Sequence, residues 1–221
     1  MGVGIIGVLL SHLIQVGGFD TGNYLVQALL SVKQFVYTQG FLFLSGFGLY
    51  FSLRKNSDTV AFYKRRCTRL LIPFLIMAFP FFLIQVIARK ESWLYLFGRL
   101  TTLSFWVEGN YSGMWYVAIS MLLYLLFPIY YKIVFGRNRN DTSILRMSLG
   151  GVILSVVVVY ISRQFQNYEM LEIGISKIPA FFIGPVFAFL LSKKDTRLLK
   201  ENFWHMLFIL SIWVVVSVFF L

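Results

Sequence analysis

Apolar runs of about 20 residues alternate along this chain with short clusters of lysine and arginine, and no other feature restricts the fold as strongly. A segment that crosses roughly 30 Å of hydrocarbon finds no water there, so its backbone N–H and C=O groups must pair within the segment. Runs of this length therefore predict helices. The stretch FLFLSGFGLYFSLRKNSDTVAFYKRRCTRLLIP, residues 41–73, shows the pattern best: one apolar run ends at Leu53 and another begins at Leu70. Arg54, Lys55, Lys64, Arg65, Arg66 and Arg69 all fall in the connection between them. The overall balance agrees, with 58% hydrophobic residues and only 13% charged, against roughly 25% charged in soluble domains. The expected fold is all-α, a polytopic integral membrane helix bundle, with residues 1–221 forming one transmembrane domain and no soluble domain of useful size.

Read in order, about seven spans are expected: 2–16, 35–53, 70–88, one opening at Gly113-Met114-Trp115-Tyr116 and closing between Pro128 and Phe135, 144–161, 175–191 and a last one from about Phe203 onward. The aromatic piece 93–107, interrupted by Gly98 and Arg99, reads as interfacial rather than spanning. Six basic residues follow the second span, four follow the fourth (Lys132, Arg137, Arg139, Arg146) and four follow the sixth (Lys193, Lys194, Arg197, Lys200). That places fourteen of the twenty lysines and arginines on one side of the membrane. Positive loops stay in the cytoplasm. The N-terminus is then cytoplasmic, and the loops around Asp20, Glu108 and Glu172 lie outside.

A net charge of +11 raises the question of a nucleic-acid partner, but the cations sit between apolar segments and not in a stripe interleaved with exposed aromatics. Attraction to anionic lipid explains them better, so the bilayer is an expected partner and nucleic acid is not. Cys67 is the lone cysteine, which excludes an intrachain disulfide and a thiolate metal cluster, and no metal is expected.

His12 is the main chemical candidate. An imidazole within an apolar helix needs a partner or a water-filled cavity, and its ordinary pKa of roughly 6.5 suits proton transfer near neutrality. A histidine hydrogen-bonded between packed helices is the equal alternative. Arg66 and Arg69, three residues apart, are placed on one face at the cytoplasmic end of a membrane helix, where two guanidinium groups form a fork for anions. Their alternative is topology signalling alone. Glu108 has no sequence partner, Ser45 lacks the first glycine of a Gly-x-Ser-x-Gly elbow, and Trp115 and His205 read as residues of the membrane interface.

The order and spacing of several motifs resemble the membrane-bound acyltransferase 3 family. They are His12 on a first helix, the aromatic-rich segment ending in Ser45-Gly46-Phe47, the Arg66-Cys67-Thr68-Arg69 pair with Pro73 after it, Trp115, and the segment from Pro179 to Gly184. The resemblance implies transfer of an acyl group, often acetyl, from cytoplasmic acyl-CoA (acetyl-CoA first among donors) to a hydroxyl of a carbohydrate or cell-envelope acceptor, in a membrane of the bacterial inner or plasma type. His12 is then the catalytic general base, and Arg66 and Arg69 bind the donor's phosphates. Two departures accompany it. Met1 stands where the family carries a basic residue eleven positions before the histidine, and the family has about ten spans. The chain is accordingly expected to be a fragment, lacking the start of the first helix and the C-terminal helices. The competing readings are a non-enzymatic membrane protein, either a transporter or a scaffold in an envelope-synthesis complex, and a catalytically impaired, truncated acyltransferase.

Overall fold

The computed structural model describes residues 39–109, 114–136, 139–165 and 168–193. Among these the chain forms eight helices and no strand: α1 (Gln39–Lys55), α2 (Thr59–Arg89), α3 (Trp93–Leu100), α4 (Leu103–Glu108), α5 (Trp115–Val134), α6 (Asp141–Ser162), α7 (Tyr168–Ile175) and α8 (Ile178–Ser192). Four stretches are long and apolar enough to cross a membrane, namely α2, α5, α6 and the continuous pair α7–α8 over Glu169–Ser192. The protein is an all-helical polytopic membrane protein. The predicted first and seventh spans, with His12 and His205, lie outside the described residues, as do residues 194–221 and the cations among them.

Contacts between helix ends fix the direction of each span. Phe127 meets Phe181 at one level and Phe135 meets Phe189 at another, so α5 and α8 run the same way. Tyr50 bonds to Ser192 at 3.1 Å and packs on Phe135, which adds α1 to that set. Lys193, just past α8, pairs with Asp141 at the start of α6, so α6 runs the opposite way. Helix α2 is also antiparallel to α5, because the Tyr63 hydroxyl donates to the Leu125 carbonyl while Arg66, one turn later, lies over the earlier Tyr124 ring. Alternation of the spans therefore stands in the described part. Arg54, Lys55, Lys132 and Lys193 gather at one end of the bundle, at or just beyond helix C-termini, where the helix dipole favours positive charge.

The core is centred on α8, whose Phe181, Ile183, Val186, Ala188 and Phe189 are all buried. Its tightest neighbour is α1. A Cβ added at Gly46 would run into the Phe181 carbonyl oxygen and the Pro185 ring, and one added at Gly184 would strike the backbone at Phe43 and Phe47. Each glycine is the hole into which the other helix fits. Such close backbone approach holds membrane helices together where lipid removes the usual hydrophobic drive. Ser45-Gly46-Phe47 and the Pro179 to Gly184 segment, separate in sequence, are thus two halves of one crossing. Helix α6 turns Ser148 and Ser155 inward, each satisfied by the carbonyl three residues back, at 2.9 and 2.6 Å.

The second helix begins well before the apolar run at Leu70 that marks it in the sequence, and most of the basic connection after Leu53 is helical. Only Asn56–Asp58 is non-helical, and α2 starts at Thr59. Asp58 is the cause. Its carboxylate accepts from the backbone N–H groups of Val60 at 2.9 Å and Ala61 at 3.3 Å, satisfying donors that a helix start leaves free. Phe62 then anchors the first turns by complete burial against Phe127. With 31 residues α2 is about 46 Å long, roughly 15 Å more than the hydrocarbon layer, so its first turns carry Lys64, Arg65 and Arg66 beyond the apolar core. Its far half exposes Ile76, Met77, Ile84 and Ile87, as a flank against lipid would. Helices α3 and α4, in the segment predicted to be interfacial, are short and expose Trp93, Leu94, Phe97 and Val107.

Candidate functional site

Helices α2 and α5 and the turn joining α3 to α4 line a partly open cavity of about 340 Å³. Its walls are mostly apolar, with Leu70, Leu71, Met121 and Leu122 among them, and Tyr63, Arg66, Thr102 and Tyr124 supply the polar groups. That mixture is typical of small-molecule pockets: apolar area for affinity and a few polar atoms for orientation. Thr102 is a non-glycine residue in the left-handed region, at φ 62°, and its hydroxyl donates weakly to Met121 Sδ at 3.9 Å. Strained backbone of this kind collects at binding sites.

Arg66 is the distinctive side chain of this cavity. Its guanidinium lies 5.6 Å from the Phe62 ring centroid and 5.8 Å from that of Tyr124, so two aromatic faces hold it from either helix. Its Nε is buried and has no hydrogen-bond partner. No carboxylate among the described residues pairs with it. A guanidinium without a counter-charge offers directed N–H donors to an anion. Tyr124 extends the polar line inward, its hydroxyl 3.5 Å from Ser45 Oγ on α1.

Arg69 is close in sequence but faces a different space. It lines an open groove of about 1000 Å³ along α2, together with Gln85, Arg89, Tyr95 and Arg99, while Leu70 borders both cavities. The fork expected from the three-residue spacing is divided, because three helical steps leave two side chains about 60° apart, enough to fall on either side of a packed neighbour. Glu108 has a definite partner after all. It forms an ion pair at 2.6 Å with the buried Arg99, which also lies 4.8 Å from the Tyr95 ring centroid. Trp115 packs edge-on against Tyr116 and takes the Lys177 ammonium 5.8 Å from its ring centroid. Cys67 is an exposed free thiol at the rim of the Arg66 cavity. Tyr63 and Tyr124 went unnoticed in the sequence. The only trace of them there is a hydroxyl within apolar surroundings, which is common in membrane helices.

A family model described as an acyltransferase domain, that of the acyltransferase 3 family, matches residues 2–221. The chain belongs to the acyltransferase 3 family. It is therefore a membrane acyltransferase, and the motifs quoted above lie in the matched region. No curated protein and no solved structure matches the chain.

Proposed function

We propose that this acyltransferase takes its acyl group from acyl-CoA, acetyl-CoA first among donors, and delivers it to a hydroxyl of a carbohydrate or cell-envelope acceptor. The observation that carries the reading is the unpaired guanidinium of Arg66 at the wall of a mostly apolar cavity in a chain of this family. An acyl-CoA matches both parts. Its phosphates call for a cation, and its pantetheine and acyl portions call for an apolar enclosure. Arg69, exposed beside the larger groove, supplies a second cation near the same helix end. The cytoplasmic position of that end follows from the positive residues gathered there.

In this reading His12 is the general base. It takes the acceptor's hydroxyl proton as the oxygen attacks the thioester carbonyl, forming a tetrahedral oxyanion. Collapse of that intermediate breaks the carbon–sulfur bond, and the departing thiolate recovers the proton from the imidazolium. The ester forms and free CoA leaves, with no oxidant or metal needed. Transfer from radiolabelled acetyl-CoA to membrane glycans, measured with the full chain in native-like membranes, tests the scheme. His12→Ala should lower turnover by at least roughly 100-fold, the low end of what a positioned base supplies, with donor affinity almost unmoved. Near-normal transfer by that variant between pH 6 and 9, at matched expression, would remove His12 from the chemistry.

A further inference from the structure

At the end of the bundle opposite Arg54 and Lys132, most of the described cations already have partners. Arg99 pairs with Glu108, Arg163 pairs with Glu172 at 3.5 Å, and the buried Lys177 packs on Trp115. Arg89 differs from them. It is exposed, lines the open groove of about 1000 Å³, and makes no ion pair among the described residues. The end of α2 does not use it as a cap either: Lys90 is left-handed, at φ 56°, and the backbone N–H groups of Lys90 and Glu91 both go to the Val86 carbonyl.

The groove gives this cation a context. Leu70, Phe74, Met77, Phe81, Gln85 and Arg89 follow one another at steps of three or four, so they form one stripe along α2. Arg69 borders the far end, and between it and Gln85 the stripe is apolar. Met77 is 75% exposed and Phe81 56%, so the groove opens sideways, toward lipid. Exposed Trp93, Leu94 and Phe97 belong at the membrane–water boundary, and they place α3 there. Tyr95 and Arg99, on the other face of α3, line the groove. Its polar end is thus at headgroup depth. From Gln85 back to Leu70 the stripe runs fifteen residues, about 22 Å, which exceeds half of the roughly 30 Å hydrocarbon layer and accommodates the depth of one leaflet.

The polar end also selects among headgroups. The Tyr95 hydroxyl donates to Gln85 Oε1 at 2.9 Å, which leaves the Gln85 amide N–H groups to serve as donors beside Arg89. No carboxylate lines the groove, and the Tyr95 ring already faces the Arg99 guanidinium at 4.8 Å, so nothing there receives an ammonium or choline group. We propose that the groove is a binding site for one anionic glycerophospholipid, of the phosphatidylglycerol type, in the leaflet opposite the basic end. Its phosphodiester meets Arg89 and the Gln85 amide, and an acyl chain lies along Phe81, Met77 and Phe74. One free cation matches the single charge of a diester. The site is independent of the acyl donor.

Native mass spectrometry of the full chain, released from nanodiscs of equal phosphatidylglycerol and phosphatidylcholine, reads which lipid is retained. The wild type should keep one phosphatidylglycerol with a preference of roughly five-fold, the upper range for an exposed charge contact. Arg89→Gln should bring the ratio close to one, Gln85→Leu should lower it in part, and Arg89→Lys should keep most of it. Lys90→Gln removes the same charge one residue away, outside the groove lining, and should leave the ratio unchanged. Unfolding temperatures matched in phosphatidylcholine alone exclude misfolding as the cause. Absence of any preference in the wild type overturns the site. Equal losses in Arg89→Gln and Lys90→Gln reduce the preference to general attraction by surface charge and overturn it too. Complete displacement of phosphatidylglycerol by an equimolar polyprenyl monophosphate assigns the groove to a carrier lipid instead, and the proposal falls.

Discussion

Two arginines in this protein are held in nearly the same way and end in opposite electrostatic conditions. Arg66 lies between Phe62 and Tyr124, and Arg99 lies against Tyr95 and Phe82, each with a buried Nε that makes no hydrogen bond. Arg99, however, meets Glu108 at 2.6 Å, and Arg66 meets no carboxylate among the described residues. Aromatic packing fixes where a guanidinium goes; it supplies only about 0.5 to 2 kcal/mol and cannot replace a counter-charge. The Arg99 region is therefore complete as it stands, a clasp that ties α3 to the end of α4. The Arg66 region keeps an unbalanced positive charge, which the proposed acyl-CoA donor would answer. In a bundle with so few charges, that difference is what the proposed binding role of Arg66 rests on.

The sharpest test replaces each arginine in turn. Arg66→Ala should weaken acyl-CoA binding by roughly 10- to 100-fold, the range for a charge-assisted hydrogen bond to phosphate, while the unfolding temperature stays level or rises slightly. Lysine at the position should restore only part of the affinity, since an ammonium lacks the planar fork and packs less well between rings. Binding is followed by calorimetry and unfolding by intrinsic fluorescence in the same membrane preparation. An Arg66→Ala protein that binds normally but melts early would reverse the comparison.

Stability, not affinity, should respond at the other arginine. Glu108→Gln leaves the buried guanidinium of Arg99 without its counter-charge, and because Glu108 is 42% exposed the loss should be about 1 to 2 kcal/mol, below that of a fully buried pair. Replacing Arg99 and Glu108 together by leucine should recover most of it, because no charge is then stranded. Acyl-CoA affinity should be unchanged in both. A fall in affinity without a fall in stability would mean that the clasp also takes part in binding.

How far these features can be read from the chain follows from the range over which each acts. The apolar spans, their alternating direction and the cations at their ends are local properties of composition, and the structure reproduces them in the described part. The Gly46 to Gly184 crossing was visible only as two separate small-residue segments, because contact between α1 and α8 joins positions 138 residues apart. The helical start at Thr59 was within reach: Asn56-Ser57-Asp58-Thr59 carries a capping residue just ahead of Phe62, but the density of positive charge after it suggested a loop. The Arg99 to Glu108 pair depends on a bend at Thr101–Thr102, where a threonine adopts a left-handed conformation that no propensity favours. The division of Arg66 from Arg69 depends on what packs between them. Helical spacing specifies an angle of about 60°, and only the placement of α5 and the α3–α4 turn decides whether that angle separates two cavities.

That division yields the smallest of the expected effects and the finest test of the comparison. Arg69 is exposed beside an open groove, with no aromatic sandwich and no desolvated nitrogen, so any phosphate near it competes with water and salt. Exposed charge contacts are worth only about 0 to 1 kcal/mol. Arg69→Ala should therefore reduce acyl-CoA affinity by no more than about five-fold. The loss should shrink as salt rises from roughly 0.05 to 1 M, over which the screening length falls to about 3 Å. The Arg66→Ala loss should persist over the same range, because a partly buried guanidinium between two rings is shielded from screening ions. Parallel titrations of both variants across that salt series measure the two slopes side by side. Equal slopes would mean that the two arginines act as a single exposed patch, and the distinction drawn from the burial of Arg66 Nε would have no bearing on the ligand.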